Sequence, residues 1–299
     1  MNSKSTSMSY PGKIDIPYDR LYAPAIFGRV SFPHRDPKAK TYLRADNEYI
    51  FSIESGHKYM DKSASLEPYG IPFGIYPRLL LLLITSYAKH EATREIILSE
   101  SITKFMRSIG YDLTGGKTGT LAQLNNQLDR LLNCRLCFRR NKKSKTGQIK
   151  KSKDYLNQIT RIELWESGEG TETNRQVKAV ISESFYRWIQ ETAYPVNRKT
   201  VEALRSSLLT LDLYLFLCSR TYRINPRKYE TYISWSSLEK QLGTNYKETK
   251  EFARKARKSI TKIIDWYPEL NVRFERGCLV IVSTSQPHIK SYPQKQVNK

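Results

Sequence analysis

The spacing of hydrophobic and polar residues predicts helices separated by short strand pairs. In the first half, helical spacing predicts a helix over 77–90, which has proline in its first turn, and a shorter helix between the N-cap Ser99 and Gly110. A longer helix is predicted over 118–133, and strand-like residues then flank a basic stretch at 139–153. An alternating pattern around Asp46-Asn47 predicts a hairpin over 42–53.

The second half repeats this order of elements. Its predicted elements are a strand at 176–181, a short helix at 185–191, an apolar helix at 200–222, a short helix at 234–242, a long helix at 246–266 and a hairpin about Arg276-Gly277. Each half thus has helix, short helix, turn, helix and hairpin, the order of a winged helix-turn-helix domain. The predicted fold class is α+β, with two tandem winged helix-turn-helix domains that are mostly helical and carry small β-hairpin wings. The halves share negligible sequence identity, so only architecture is repeated.

Polar stretches set the predicted domain boundaries. Prolines interrupt the polar N-terminus, and the segment SGEGTET that follows Glu166 is a hydrophilic break. The predicted organisation is a flexible N-terminal arm at 1–25, a first winged-helix domain at 26–166, a linker at 167–175, a second winged-helix domain at 176–289 and a C-terminal tail at 290–299.

The helix over 118–133 is the first candidate for reading DNA bases. Its leucine stripe comprises Leu121, Leu124, Leu128, Leu131 and Leu132. The opposite face and the helix start carry the candidate contacts Lys117, Thr118, Gln123, Asn126, Gln127, Arg130 and Asn133. Asn and Gln can pair with adenine through two hydrogen bonds, and Arg with guanine. The alternative is an ordinary amphipathic helix with a solvated amide face.

The long helix near the C-terminus is the second candidate. Its core stripe comprises Phe252, Ala253, Ala256, Ile260 and Ile263. Its other side carries Lys247, Lys250, Arg254, Lys255, Arg257, Lys258 and Lys262, against only Glu248 and Glu251. Neighbouring cations on a helix repel each other, a cost that phosphate contacts would offset. The alternative is a solvated face that binds nothing.

The basic stretch at 139–153 is predicted to be a wing. It contains eight Lys or Arg and no Asp or Glu, and Thr146-Gly147 suits the tip of a hairpin. Its candidate contacts are Arg139, Arg140, Lys142, Lys143, Lys145, Lys150 and Lys151. Such a wing would follow the DNA backbone or minor groove and add affinity more than sequence choice. The alternative is a disordered basic loop.

Composition supports a polyanionic partner. The chain has 50 Lys and Arg against 29 Asp and Glu, a net charge of +21, which is typical of proteins that bind nucleic acid. A ribosome-associated or merely soluble basic protein is the alternative. The longest apolar run, 79–84, is far shorter than the roughly 20 residues of a membrane-spanning helix, and the N-terminus lacks the apolar core of a signal peptide. We therefore expect a cytoplasmic protein without a membrane partner.

Motifs for enzymatic chemistry are incomplete in this sequence. Cys134 and Cys137 form a CxxC pair, but a second closely spaced pair of zinc ligands is missing, so both are predicted to pack as small hydrophobes. The GGKT segment that begins at Gly115 lacks the first glycine of a phosphate-binding loop. The histidines are scattered singly, which disfavours a metal-dependent DNA-nicking site. We expect no enzymatic activity, no metal and no cofactor.

Several segments together resemble the plasmid-encoded RepA replication initiators. They are FPHR at 32–35, YGIPFGIYPRLLL at 69–81, SITKFMRSIGYDLTGGKTG at 101–119, the helix to Leu132, SSLLTLDLYLF at 206–216, ISWSSLEKQLGTN at 233–245, Tyr267-Pro268 and Pro287-His288-Ile289. The resemblance implies tandem winged helices that bind repeated double-stranded DNA sites at a plasmid origin. It also implies that the protein helps to open the duplex and recruits host replication proteins. The resemblance further implies that the protein can form a homodimer through the first domain, and that the monomer is the form that binds DNA.

The architecture alone leaves a second function open. A winged-helix transcriptional repressor without a replication role would have the same elements, and an initiator can also repress its own promoter. Within the initiator hypothesis, Arg130→Ala is expected to relax base preference by about 1–3 kcal/mol, whereas Lys258→Ala is expected to weaken binding to all sequences alike.

Overall fold

The computed structural model describes residues 19–45, 49–60, 65–116, 118–143, 149–156, 159–167, 174–223, 229–242 and 246–290. For residues 49, 98–101, 140–143, 149–156, 159–167, 174–177 and 223 it describes the backbone alone. The predicted C-terminal tail and the tip of the predicted wing lie largely outside the described residues.

The helices are arranged around two that are buried on nearly all sides. The helices are α1 (Ile75–His90), α2 (Leu98–Ser108), α3 (Thr120–Asn133), α4 (Glu183–Thr192), α5 (Arg198–Leu204), α6 (Leu208–Arg223), α7 (Trp235–Leu242) and α8 (Thr249–Ile264). Residues 79–84 of α1 and 211–218 of α6 are all buried, as expected for helices that are apolar all round. The other helices pack on these two through one face each.

The strands are short and antiparallel. They are β1 (Arg20–Ala23), β2 (Thr41–Ala45), β3 (Tyr49–Glu54), β4 (His57–Met60), β5 (Ser65–Pro68), β6 (Glu95–Ile97), β7 (Arg135–Lys143), β8 (Ile149–Leu156), β9 (Ile159–Ser167), β10 (Asn174–Ile181), β11 (Tyr194–Asn197), β12 (Thr231–Ser234), β13 (Val272–Glu275) and β14 (Cys278–Ile281). The mixture of helices with small sheets confirms the α+β class.

Two three-stranded sheets have the same topology. In the first half, β6 lies between α1 and α2 in sequence, and α3, β9 and β10 follow, with strand order β6-β10-β9. In the second half, β12 lies between α6 and α7, and α8, β13 and β14 follow, with strand order β12-β14-β13. In both sheets the last strand therefore lies between the other two. The repeated order of elements predicted from the sequence extends to the order of the strands.

The basic hairpin belongs to a four-stranded sheet that was not predicted from the sequence. β7 and β8 pair from Leu136↔Leu156 to Lys143↔Ile149, which confirms the two flanking strands. They extend a four-stranded sheet of order β2-β3-β7-β8, in which the predicted hairpin at 42–53 supplies β2 and β3. The hairpin in the first three-stranded sheet is β9–β10, and the basic stretch predicted as a wing lies outside that sheet. Periodicity identified the strands but carries no information on which sheet they join.

The linker predicted at 167–175 does not separate two sets of strands. β9 and β10 pair across it, starting at Ser167↔Asn174. β10 also pairs with β6 of the first half. The boundary predicted there is therefore wrong, because the polar segment SGEGTET connects two strands of a single hairpin.

The end of the predicted N-terminal arm is ordered. β1 pairs with β11 of the second half, from Arg20↔Asn197 to Ala23↔Tyr194. A 3-10 helix at Ala25–Gly28 follows, and its four residues are buried. The prediction of a flexible arm is thus wrong from Arg20 onward, and residues 1–18 lie outside the described part of the chain.

A buried ion pair joins the two central helices. Arg78 on α1 donates from Nε and Nη2 to the carboxylate of Asp212 on α6, at 2.6 and 2.8 Å. His34 Nε2 lies 3.0 Å from the same carboxylate. Burial alone would raise the pKa of Asp212, but Arg78 and His34 outweigh it and lower that pKa below its ordinary value. Such a pair is costly to break, because each charge is already desolvated.

Two helix boundaries differ from those predicted. α2 begins at Leu98 without a side-chain cap, so Ser99 lies inside the helix and is not its N-cap. The apolar helix predicted over 200–222 is two helices, α5 and α6. Asn197 caps α5 by accepting from Thr200 N at 3.0 Å. The pattern missed the break because apolar residues continue on both sides of it.

Candidate nucleic-acid interface

α8 is amphipathic in the way that the sequence predicts. Phe252, Ala253, Ala256, Ile260 and Ile263 are all buried, and they pack α8 against α6 and α7. The seven cations predicted for this helix are all exposed: Lys247 just before α8, and on α8 Lys250, Arg254, Lys255, Arg257, Lys258 and Lys262. The core stripe fixes the rotation of the helix, and the cations consequently cover its outer side.

Four of these cations form a row along the helix. Lys250, Arg254, Lys258 and Lys262 are spaced by four residues, so they follow one slowly turning ridge about 18 Å long. We call these four residues the basic ridge. Within the part of the chain that the structure describes, none of them forms a hydrogen bond or an ion pair. Their charges are available to an anionic partner.

Other cations of α8 are engaged with the protein. Lys255 pairs with Glu251 at 3.1 Å, and its Nζ lies 4.6 Å from the centre of the Tyr246 ring. Arg257 lies over the ring of Trp235 at 5.4 Å and donates to the main-chain oxygen of Glu275 at 3.3 Å. The sequence prediction treated all seven cations alike. It missed the partners of Arg257 because they lie on other elements, whereas the pair of Glu251 with Lys255 follows from i,i+4 spacing on α8 itself.

A cleft of about 860 Å³ opens beside the basic ridge. The start of α7, the first half of α8 and the turn between β13 and β14 line it. Lys250 and Arg254 of the ridge contribute to the lining, together with Trp235. Gly277 has φ of +85°, a conformation that few other residues adopt, and this lets the hairpin turn tightly at the cleft. The cleft is thus lined by two helices and a hairpin, and exposed cations lie along it.

The outer face of α3 differs from the prediction at two positions. Gln127 is buried, and its Oε1 accepts a hydrogen bond from Phe73 N at 2.8 Å. Arg130 Nη1 pairs with Asp36 at 2.9 Å and donates to the main-chain oxygen of Ile71 at 3.0 Å. Both side chains hold the segment before α1 against α3, so the outward placement predicted for them is wrong. The helical wheel does not show that a loop covers this side of the helix.

The remaining candidates on α3 are exposed. Thr118, Gln123, Asn126 and Asn133 are all accessible, and Lys117 lies outside the described residues. Four of the five predicted stripe leucines are buried, whereas Leu121 is 39% exposed. With Arg130 engaged, the exposed candidates on this helix are uncharged. α3 thus presents amides, while α8 presents cations.

The basic hairpin brings cations together in register. Lys142 lies opposite Lys150, Arg139 opposite Lys153 and Asn141 opposite Lys151. The backbone of Arg140 and Lys143 is also placed on β7, while Lys145 lies outside the described residues. The register thus places basic positions on both strands of the hairpin.

The remaining motif predictions have plain outcomes. Cys134 ends α3 and Cys137 lies on β7, and both are buried, which confirms that they pack where a helix passes into a strand. The described residues hold no group of three or more His, Cys, Asp or Glu that would bind a metal ion. Among the helices of the described ranges, none is long and apolar enough to cross a membrane.

Comparison with known proteins decides the family. A family model described as "Plasmid encoded RepA protein" matches residues 71–237, more than half of the chain. The chain belongs to the plasmid-encoded RepA family. This confirms the resemblance to the RepA initiators.

Comparisons with curated proteins and with solved structures give no further information on function. None of the curated proteins matches the chain. A solved structure of selenomethionine derivatives of domains 2 and 3 of RctB has 13% sequence identity and a TM-score of 0.49, covering 87% of this chain and 99% of that one. A second structure of RctB domains 2–3 has 13% identity and a TM-score of 0.45, covering 85% and 93%. At this level of similarity, neither structure bears on what the RepA chain does.

The segments that resemble RepA proteins meet at two buried polar joints. His34, Arg78 and Asp212 come from three different segments and form the triad between α1 and α6. At the second joint, the rings of Tyr267 and His288 stack at 4.4 Å, and His288 Nδ1 lies 3.0 Å from Tyr214 Oη. These six residues of the resembling segments thus help to hold the fold together.

Proposed function

We propose that this RepA chain is a plasmid replication initiator that binds repeated double-stranded DNA sites at the origin. The observation that carries the proposal is the basic ridge of α8, which is exposed and has no partner among the described residues. A helix of this kind fits the major groove of B-DNA, which is about 12 Å wide. The family of the chain supports a role in plasmid replication.

Each repeated unit is, in this proposal, a winged helix-turn-helix domain. The shared strand order β6-β10-β9 and β12-β14-β13 supports the assignment. α7 and α8 then form the helix-turn-helix of the second domain, with α8 as its reading helix and β13–β14 as its wing. α3 is the corresponding helix of the first domain, where exposed Gln123 and Asn126 are the residues suited to base contacts.

The two domains contribute unequally to binding. The second supplies phosphate contacts through the cations of α8, which give salt-dependent affinity. The first supplies amides from α3, and the basic hairpin β7–β8 adds backbone contacts. We further propose that the bound protein assists duplex opening, recruits host replication proteins and acts without an enzymatic step of its own.

The coding sequence with its upstream region provides the test. Direct repeats spaced by whole helical turns should lie there, and the purified protein should retain duplexes that contain them in a gel shift. A plasmid that carries those repeats should replicate only when the chain is supplied. No retention of the repeats would overturn DNA binding at the origin.

The same experiment separates an initiator from a repressor. A repressor would bind an inverted repeat at a promoter and would not support replication from the cloned origin. Incubating supercoiled origin DNA with the protein and Mg²⁺ tests the absence of nicking. Appearance of relaxed circles would contradict a purely binding role.

A further inference from the structure

The two arginines of α8 have different surroundings. Arg254 is exposed, lines the cleft and forms no hydrogen bond or ion pair within the described part of the chain. Arg257 lies three residues further along the helix, stacks on Trp235 and donates to the main-chain oxygen of Glu275. Trp235 begins α7 and Glu275 ends β13. Arg257 thus connects α8 with α7 and β13, whereas the guanidinium of Arg254 has no partner among the described residues.

The free guanidinium has a chemistry that the lysines of α8 lack. Its planar edge offers two parallel N–H donors, which match the O6 and N7 acceptors of guanine in the major groove. A lysine is a compact point charge that suits a phosphate. Of the six cations on α8, Arg254 is therefore the one able to make a two-pronged base contact without first leaving a partner among the described residues.

The cleft around Arg254 holds carboxylates as well as cations. Glu248 and Glu251 line it together with Lys250 and Arg257, and Glu251 is paired with Lys255. The edge of a G·C pair is neutral, and its cytosine N4 is a donor that a carboxylate accepts. Lys258 and Lys262 lie further along the ridge and do not line the cleft. They are placed for phosphates instead.

We propose that Arg254 reads a guanine in the bound site, and that Arg257 is a positioning residue that holds the β13–β14 hairpin against α8. The proposal rests on the proposed DNA-binding function and assigns the sequence choice of its second domain to one side chain. The bound sequence then contains a G·C pair whose recognition depends on Arg254.

A base-analogue scan tests this assignment. The wild-type chain is used to select its sites from a random duplex library, and each guanine of the selected site is then replaced by 7-deazaguanine, which lacks the N7 acceptor. We expect one guanine at which the replacement weakens binding of the wild type about 5- to 150-fold. In Arg254→Ala the same replacement should change affinity by less than about twofold, because the contact is already absent.

Matched variants separate reading from positioning. Arg257→Ala should keep the full sensitivity at that guanine, while its thermal midpoint falls because α7, α8 and the hairpin lose a shared contact. Lys258→Ala should also keep the sensitivity and should weaken all sequences alike. Arg254→Lys keeps the charge and should lose most of the discrimination at this one position.

The outcomes distinguish the two levels of the proposal. If the wild type selects no sequence from the library, the proposed function itself fails. If it selects a site but Arg254→Ala remains as sensitive to 7-deazaguanine as the wild type, the assignment of Arg254 is overturned. A sensitivity lost in Arg257→Ala and retained in Arg254→Ala would reverse the two roles.

Discussion

At the scale of single residues, burial decides which predicted contacts remain available to DNA. Arg130 and Gln127 lie on the polar side of α3, and the sequence alone places both on a base-reading surface. The loop before α1 covers this side, where Gln127 accepts from Phe73 N and Arg130 donates to Ile71 O, and Asp36 from the segment before β2 pairs with Arg130. A helical wheel shows on which side of a helix a residue lies, but it does not show which other segments of the chain cover that side. The sequence alone therefore could not reveal these contacts.

Arg130→Ala should therefore lower stability and leave base preference unchanged. The arginine loses its pair with Asp36 and its hydrogen bond to Ile71, which together suggest a loss of about 1–3 kcal/mol in the free energy of unfolding. Urea unfolding measures this loss. Gln123→Ala on the exposed face is the control and should change stability by no more than about 0.5 kcal/mol. A relaxed base preference in Arg130→Ala would restore the interpretation from the sequence.

Asp212→Asn should be strongly destabilising. The amide keeps the shape of the carboxylate but leaves the buried Arg78 without a counter-charge, at a cost of about 3–5 kcal/mol. Glu183→Gln is the matched control, because Glu183 pairs with Arg94 and Arg187 on the surface and should contribute about 0–1 kcal/mol. Equal losses for the two variants in urea unfolding would contradict the role of the triad.

Stability should also fall in acid through Asp212. Its pKa in the folded chain is lower than the ordinary value of 3.8, so the stabilisation is fully present above that value and is lost as the pH falls through the folded pKa. Unfolding free energies measured between about pH 5 and pH 2 should decline less steeply in Asp212→Asn than in the wild type. An unchanged slope would show that the carboxylate does not titrate with folding.

At the scale of elements, periodicity predicted the helices well and the sheets poorly. The core stripe of α8 is buried throughout, because an amphipathic helix carries its orientation in its own sequence. The short strands β1, β6, β11 and β12 were not predicted, since no turn joins them to their partners in a local hairpin. Their pairing depends on distant segments, and the basic hairpin joined an unexpected sheet for the same reason.

Lys258→Ala should reduce the salt dependence of DNA binding. One phosphate contact fewer lowers the slope of log affinity against log salt concentration by about one unit. Lys58→Ala is the control, because Lys58 is an exposed lysine on β4 of the first half and pairs with Glu67. A series of binding isotherms at increasing salt measures both slopes. Equal slopes for Lys258→Ala and the wild type would remove this lysine from the interface.

At the scale of the whole molecule, the two repeated units are firmly joined. The triad of Arg78, Asp212 and His34 connects α1 to α6, and β1 from the N-terminal segment pairs with β11. The sequence predicted two units of the same architecture but placed their boundary within the hairpin β9–β10. A polar, glycine-containing segment is typical of both a linker and a hairpin connection, so composition could not distinguish them. The ion-pair triad could not be predicted from the sequence either, since its three residues lie far apart in the chain.

The most direct test of the central claim is a footprint on the DNA upstream of the gene. The wild-type chain should protect repeated sites there. A variant with all four residues of the basic ridge changed to alanine should keep its circular dichroism spectrum and thermal midpoint, because these side chains are exposed and without partners among the described residues. That variant should protect none of the repeats. Equal protection by the folded variant and the wild type would contradict the assignment of DNA binding to α8.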